Sequence, residues 1–234
     1  MTSTATWSCL FGVVLLAVLS TTGAAAVESP EAIASASCVA CGEDVSRRHT
    51  AYSEKDWRAI ADGEILTSAV PQPNPDGTAR SIVEVAGLVP HPPSRVWAVL
   101  TDFESQSNWQ PSTREARIVR ADGNHVWVDE RLSFFLVGIR YRMIYTLEPE
   151  VGTISWILDE TAEHDIGGTT GAWMLERIAA GRKTLLTYRA WIDTGRRVPE
   201  FIGSFLLERS LPSLIESVRA EVDRRFGGEP RALE

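Results

Sequence analysis

The segment Asn124–Leu147, NHVWVDERLSFFLVGIRYRMIYTL, alternates apolar and polar residues over much of its length. Alternation with a period of two is typical of β-strands that bury one face. The pattern extends over residues 114–193, and the pairs Asp122-Gly123, Val151-Gly152 and Ala180-Gly181 interrupt it with residues typical of hairpin turns. Strands so close in sequence predict an antiparallel meander. Its expected strands are Glu115–Ala121, Asn124–Phe134, Arg140–Leu147, Thr153–Leu158, Gly171–Ile178 and Thr184–Asp193.

The segments on either side of the meander predict further strands and helices. Before it we expect strands Glu64–Val70 and Arg80–Leu88, a helix from Ser94 through Leu100, and a second short helix from Thr101-Asp102 to Trp109. After it, Pro199–Phe226 has apolar residues at helical spacing, which predicts a long amphipathic helix. Pro212 lacks a backbone N–H donor and should kink this helix.

This order of elements predicts an α+β fold in which a curved antiparallel sheet wraps around the long C-terminal helix. One face of a single helix cannot fill the concave side of such a sheet, so we expect an internal hydrophobic cavity. Strand alternation places Trp173 with Leu175 on one face, and Leu186 with Tyr188 on one face, and we expect both faces to point inward. The expected cavity residues are Trp109, Trp156, Trp173, Leu175, Leu186, Tyr188, Phe201, Ile202 and Phe205.

The apolar turn around Phe134 and Phe135, SFFLVG, has two interpretations. It is either a gate or lip that contacts a membrane transiently, or a strand end that packs on the helix. Arginines within the strands, such as Arg142 and Arg189, should point outward or pair with a carboxylate, because an unpaired buried guanidinium would be very costly. Glu130 is one candidate partner.

The N-terminal residues 1–26 predict a secretory signal peptide. They carry no charged side chain, and Cys9–Leu19 is an unbroken apolar run too short to span a membrane. Ala24 and Ala26 fit an A-x-A cleavage pattern. The pattern therefore indicates a protein that is periplasmic or secreted after cleavage near Ala26, with an uncleaved anchor as the alternative.

Residues 27–52 are small, polar and aperiodic, which predicts a flexible linker. In an exported chain, Cys38 and Cys41 in this linker most simply form a disulfide. A metal site with His49 as a third ligand and a redox motif are the alternatives. The main domain is expected over residues 53–226, followed by a tail over residues 227–234.

Composition and motifs exclude several classes of function. The formal net charge is -8, from 31 acidic and 23 basic residues, which argues against a nucleic-acid partner. The sequence has no P-loop, no dinucleotide-binding glycine motif and no nucleophile elbow. None of the 4 histidines has the spacing of a metal site or a catalytic triad. We therefore expect no catalytic residues, no metal and no cofactor.

Several segments resemble one known family: Trp57 with Gly63-Glu64, Val96–Phe103 (VWAVLTDF) with Trp109-Gln110-Pro111, Gly171-Ala172-Trp173, and Arg209–Leu214 (RSLPSL). Together they resemble the exported bacterial branch of the START-like, polyketide cyclase-like superfamily (SRPBCC, helix-grip fold). The resemblance covers about Ser53–Phe226 and implies a helix-grip fold.

For function, the resemblance permits two hypotheses. The first is non-catalytic binding or transport of a lipid or other hydrophobic small molecule in the cavity. The second is an enzyme of the polyketide cyclase or dehydratase type, which would need at least two titratable groups with perturbed pKa values to converge in the cavity. A protein partner bound through the Cys38–Cys41 segment is a third, weaker interpretation. The absence of a catalytic motif favours the first hypothesis.

Overall fold

The sheet predicted from strand alternation is present in the computed structural model, which describes residues 52–73, 79–134, 137–193 and 211–227. The strands are β1 Leu66–Pro73, β2 Ala79–Val89, β3 Thr113–Asp122, β4 His125–Phe134, β5 Val137–Glu148, β6 Thr153–Leu158, β7 Gly168–Ile178 and β8 Lys183–Asp193. The helices are α1 Glu54–Ala61, α2 Pro93–Leu100, α3 Gln106–Trp109 and α4 Leu211–Phe226, with a 3-10 turn at Phe103–Ser105.

All eight strands belong to one antiparallel sheet in the order β1-β2-β8-β7-β6-β5-β4-β3. Strands β3 to β8 form the predicted meander, and the first hairpin joins it because β2 pairs with the last strand, β8. The curved sheet and the C-terminal helix confirm the predicted α+β class and the helix-grip fold.

Glycines allow the tight turns between several of the strands. Gly123, between β3 and β4, has a φ of 60°, a left-handed conformation that glycine adopts without strain. Gly152, between β5 and β6, has a φ of 70°, and a Cβ there would lie 2.7 Å from the backbone oxygen of Leu175. Both positions coincide with the predicted hairpin breaks.

Helix α1 was not predicted from the sequence. Its N-terminus is closed by a capping box, in which Ser53 accepts a hydrogen bond from the backbone N–H of Asp56. Ile60 is the only buried residue of this polar helix. Ile60 packs with Ala86 and Leu185 on the outer face of the sheet. The apolar residues Trp57 and Ile60 of α1 lie at helical spacing, but two turns are too short for that spacing to identify a helix from the sequence.

Helix α4 packs against the hydrophobic core on the inner face of the sheet. Its buried residues Leu211, Ile215, Val218 and Val222 recur every three or four positions and join the main hydrophobic core. The predicted start of this helix at Pro199 lies outside the described residues. Pro212 lies in the first turn of the described helix, so a kink before it is not tested.

Several predicted features fall outside the part of the chain that the structure describes. These are the signal peptide, the cysteines Cys38 and Cys41, the cavity residues Phe201, Ile202 and Phe205, and the gate residue Phe135; the side chain of Phe134 is likewise not described. Among the described residues, no helix is both long enough and apolar enough to cross a membrane.

Candidate functional site

A cavity of about 180 Å³ lies between the inner face of the sheet, the segment from α2 to β3, and the start of α4. Its walls are mainly apolar and aromatic, with Leu100 and Phe103 from the α2 region and Leu211 and Leu214 from α4. The sheet contributes residues from nearly every strand, among them Val83, Leu132, Ile139, Met143, Ile154 and Ala190.

Aromatic rings form a continuous wall along this cavity. Phe103 contacts Tyr145 with ring centroids 4.5 Å apart, and Tyr145 lies 6.1 Å from Trp156. Tyr188 then stacks on Trp156 at 5.4 Å and contacts the edge of Trp173 at 4.8 Å. Such pairs add stability beyond the burial of their surface. Of the residues predicted from the sequence, Trp156, Trp173 and Tyr188 therefore lie on the cavity wall.

The structure places the other described cavity candidates elsewhere. Leu175 and Leu186 point inward but lie in the packed core, away from the cavity lining. Strand alternation identifies a face but not the height along the strand at which the cavity opens. Trp109, at the end of α3, packs against the core while its neighbours Gln110 and Pro111 line the cavity.

A polar cluster on the wall was missed by the sequence analysis. Glu130 in β4 is buried and accepts a hydrogen bond of 2.5 Å from the Tyr145 hydroxyl. Tyr141 is paired with Glu130 in β5, and its hydroxyl group lies near enough to affect the pKa of this carboxyl group. Glu130, one candidate partner for a strand arginine, therefore contacts tyrosines instead. Alternation did carry a signal, because Glu130 shares a face with the core residues Val126 and Val128.

Burial shifts the titration of this cluster. Desolvation raises the pKa of Glu130, against the opposing effect of the hydroxyl groups of Tyr145 and Tyr141. The pKa values of Tyr141, Tyr145 and Tyr188 are also raised, first by burial and then by the nearby Glu130. These shifts keep the hydroxyl groups protonated, so that they remain hydrogen-bond donors.

Arg140, Arg142 and Arg189 lie away from the cavity and pair with carboxylates, as expected of strand arginines. Arg142 bonds Asp129 at 2.6 Å on the outer face of the sheet, and Arg189 faces Glu84, with both side chains buried. No lysine, arginine or histidine is among the described residues that line the cavity. In the described ranges, no group of three or more His, Cys, Asp and Glu residues could hold a metal ion.

Known structures share this architecture. The Zhui aromatase/cyclase from Streptomyces sp. R1128 is 20% identical with a TM-score of 0.55, over 64% of this chain and 98% of that one. A STAR-related lipid transfer protein fragment from Xanthomonas axonopodis is 17% identical with a TM-score of 0.55, over 68% and 93% of the two chains. Human STARD10 is 12% identical with a TM-score of 0.55, over 78% and 85%. At these identities the likeness shows the fold alone.

Sequence comparison identifies the family. No curated protein sequence matches the chain significantly. The profile of the family described as "Polyketide cyclase / dehydrase and lipid transport" matches residues 89–219, which is more than half of the chain. The matched region runs from the end of β2 into α4 and includes most of the cavity wall. The chain belongs to this polyketide cyclase / dehydrase and lipid transport family, within the START-like superfamily.

Proposed function

We propose that this protein binds and carries a hydrophobic small molecule in the cavity, after export to the periplasm or the medium. The observation that supports the proposal most strongly is the aromatic wall from Phe103 to Trp173, which borders a cavity of about 180 Å³. Ligand sites are typically concave and mostly apolar, with a few polar groups that fix orientation. This cavity has that composition.

The cavity volume restricts the size of the ligand. An engineered apolar cavity of about 150 Å³ holds one benzene molecule, and drug-sized ligands occupy roughly 300–1,000 Å³. A cavity of about 180 Å³ therefore fits a ligand of one or two rings, or a short chain. A lipid with two long acyl chains would need the cavity to enlarge.

Catalysis of the cyclase or dehydratase type is the second candidate function. The family description includes both enzymes and lipid transport, and similar folds bear both kinds of name. Glu130 favours catalysis, because a carboxyl group with a raised pKa is suited to general acid or base chemistry. Tyr141, Tyr145 and Tyr188 also line the cavity with shifted pKa values, so the expected minimum of two perturbed titratable groups is met. Their pKa values are raised, however, which makes them poor bases near neutral pH, and the described lining residues include no histidine, lysine or second carboxyl group. We therefore favour carriage over catalysis.

Binding can be tested with aminonaphthalene, a neutral two-ring dye whose emission moves to the blue in apolar surroundings. We expect saturable binding with one dye per chain. Ala190→Leu adds bulk to the cavity wall and should weaken binding by at least about tenfold, since one methylene in a pocket is worth about tenfold or more. Ala121→Leu, at an exposed position in β3, is the matched control and should bind as the wild type does. Unchanged binding by Ala190→Leu would place the dye outside the cavity and contradict the proposal.

The catalytic alternative has a separate test. A β-hydroxy ketone with one aromatic ring should lose water to form a conjugated enone if the protein is a dehydratase, and ultraviolet absorbance follows that product. We expect no rate above the uncatalysed reaction. A rate enhancement that Glu130→Gln abolishes would instead establish catalysis and contradict pure carriage.

A further inference from the structure

The proposed function does not explain why a carboxyl group lies on an apolar wall. Along the inner face of β4, Val126 and Val128 belong to the hydrophobic core and Leu132 packs against it. Glu130 occupies the same face, and its side chain is buried. Burial of a carboxyl group away from water is costly unless hydrogen bonds compensate for the lost hydration. A carboxyl group that is buried at this cost and lines a cavity is a candidate for ligand recognition.

Two tyrosines lie beside the carboxyl group at the cavity surface. Tyr145 donates its hydroxyl proton to Oε1 of Glu130 at 2.5 Å, and Tyr141 occupies the paired position in β5, where its hydroxyl group influences the same carboxyl group. All three residues line the cavity. A carboxyl group offers about four lone-pair positions, and each tyrosine hydroxyl can also accept a hydrogen bond. The cluster therefore has hydrogen-bonding capacity left for a ligand.

The charge of the surroundings decides which ligand can use that capacity. No lysine, arginine or histidine is found among the described lining residues, so none of them could neutralise an anionic group. A carboxylate or phosphate in the cavity would lie beside Glu130, and the described lining residues would offer it no cation. Such burial is unfavourable, whereas a neutral hydroxyl or carbonyl group needs only one or two hydrogen bonds.

We propose that Glu130, Tyr141 and Tyr145 bind the polar end of a neutral ligand, a one- or two-ring molecule that carries a hydroxyl or carbonyl group, and that the cavity rejects anions of the same skeleton. A ligand hydroxyl donates to the carboxyl oxygen or to a tyrosine oxygen, and a ligand carbonyl accepts from a tyrosine hydroxyl. The ring then lies along the aromatic wall formed by Trp156, Tyr188 and Trp173. This inference rests on the proposed function, because it names the ligand class of the same cavity.

Three probes with one carbon skeleton test the inference: naphthalene, its alcohol naphthol, and its carboxylate naphthoate, each titrated calorimetrically at neutral pH. We expect naphthol to bind about three- to tenfold more tightly than naphthalene, which is the net value of one hydrogen bond. We expect no measurable binding of naphthoate. In a cavity without a polar partner, naphthol would bind more weakly than naphthalene, so the order of the two affinities is diagnostic.

Variants assign the preference to the cluster. Glu130→Leu and Tyr145→Phe should both retain naphthalene binding and lose the preference for naphthol. Tyr52→Phe is the matched control, because it removes a hydroxyl that donates to Glu84 outside the cavity, and it should keep the preference. Thermal unfolding shows which variants are folded. If Glu130→Leu is unfolded, Tyr145→Phe alone tests whether the cluster causes the preference for naphthol.

The outcomes separate this inference from the proposed function. If the wild type binds naphthalene but shows no preference for naphthol, or binds naphthoate as tightly as naphthol, the inferred ligand class is wrong while the cavity remains a binding site. The same holds if Tyr145→Phe keeps the full preference. If the wild type binds neither naphthalene nor naphthol, both the inference and the proposed function are contradicted.

Discussion

Asp129 and Glu130 are neighbours in β4, yet their carboxyl groups lie on opposite faces of the sheet. The pKa values of the two groups are therefore shifted in opposite directions. On the outer face, hydrogen bonding to Arg142 lowers the pKa of Asp129. On the inner face, burial raises the pKa of Glu130. Because successive side chains of a strand point to opposite faces, Asp129 lies in an ion pair near solvent while Glu130, one residue later, lies on an apolar cavity wall.

This contrast predicts opposite effects of pH on stability. The folded state holds the Glu130 proton more tightly than the unfolded state, so the contribution of Glu130 to stability falls as pH rises above the ordinary glutamate value of about 4.3. Relative to Glu130→Gln, the folding constant of the wild type should therefore decrease over that range, by at most about tenfold per pH unit. Urea unfolding of both proteins at a series of pH values measures the difference.

Asp129→Asn is the matched comparison. The lowered pKa of Asp129 means that its contribution is fully present above the ordinary aspartate value of about 3.9 and is lost as pH falls below it. The stability difference between the wild type and Asp129→Asn should therefore shrink in acid. If both carboxyl groups gave the same direction of pH dependence, the assigned environment of one of them would be incorrect.

Trp173 and Leu186 differ in what their removal should do. Trp173→Ala removes a ring next to existing empty space, so we expect a cost of about 1–2 kcal/mol and weaker binding of aminonaphthalene. Leu186→Ala creates a new void in the packed core and should cost about 2–5 kcal/mol with dye affinity unchanged. Denaturant titration beside dye titration measures both quantities. A large loss of stability and unchanged affinity for Trp173→Ala would show that this ring only packs.

At the scale of elements, α4 packs closely against β2. Arg219 of α4 donates from Nε to the backbone oxygen of Leu88 at 2.9 Å and from Nη1 to that of Gly63 at 3.1 Å. Gly87 gives the helix room, because a Cβ at this position would lie 2.9 Å from both Ile215 and Arg219. The close approach of α4 to the sheet therefore depends on a missing side chain.

Gly87→Ala should push α4 away from β2. We expect a loss of about 1–3 kcal/mol in the free energy of unfolding, the usual cost of overpacking. Gly138→Ala is the control, because a Cβ at Gly138 would have no described atom within 4 Å, and its stability should stay near that of the wild type. Urea unfolding of the two variants provides the measurement. Equal stabilities would mean that α4 is not held as closely as the structure indicates.

Element types were largely predictable from the sequence, and element functions were not. The strand Thr153–Leu158 was predicted with the bounds that the structure gives, because alternation and flanking turns both mark it. Helix α1 was missed because its apolar spacing, Trp57 and Ile60, extends over only two turns. The role of Glu130 escaped because alternation assigns a face but does not say which hydroxyl groups of the neighbouring strand meet it. Those contacts depend on the register between β4 and β5, which places Tyr141 and Tyr145 near Glu130 and which only the structure shows.

At the scale of the whole molecule, export remains a prediction from the N-terminal sequence. Cleavage near Ala26 should give a mature N-terminus near Val27 and a disulfide between Cys38 and Cys41. N-terminal sequencing and thiol counting, with a reduced sample as the control, test both points on protein from the native organism. A chain that still begins at Met1 and has two free thiols in this segment would contradict export.

Native mass spectrometry of the protein isolated from the organism that encodes it tests the central claim, that the cavity carries a neutral hydrophobic molecule, most directly. We predict one non-covalent adduct per chain that is lost on denaturation and enters organic solvent from both acidic and alkaline extracts. A ligand of one or two rings with one hydroxyl or carbonyl group should have about seven to twelve non-hydrogen atoms. A chain that is always empty, or one that carries a two-chain phospholipid or another anion, would contradict the account.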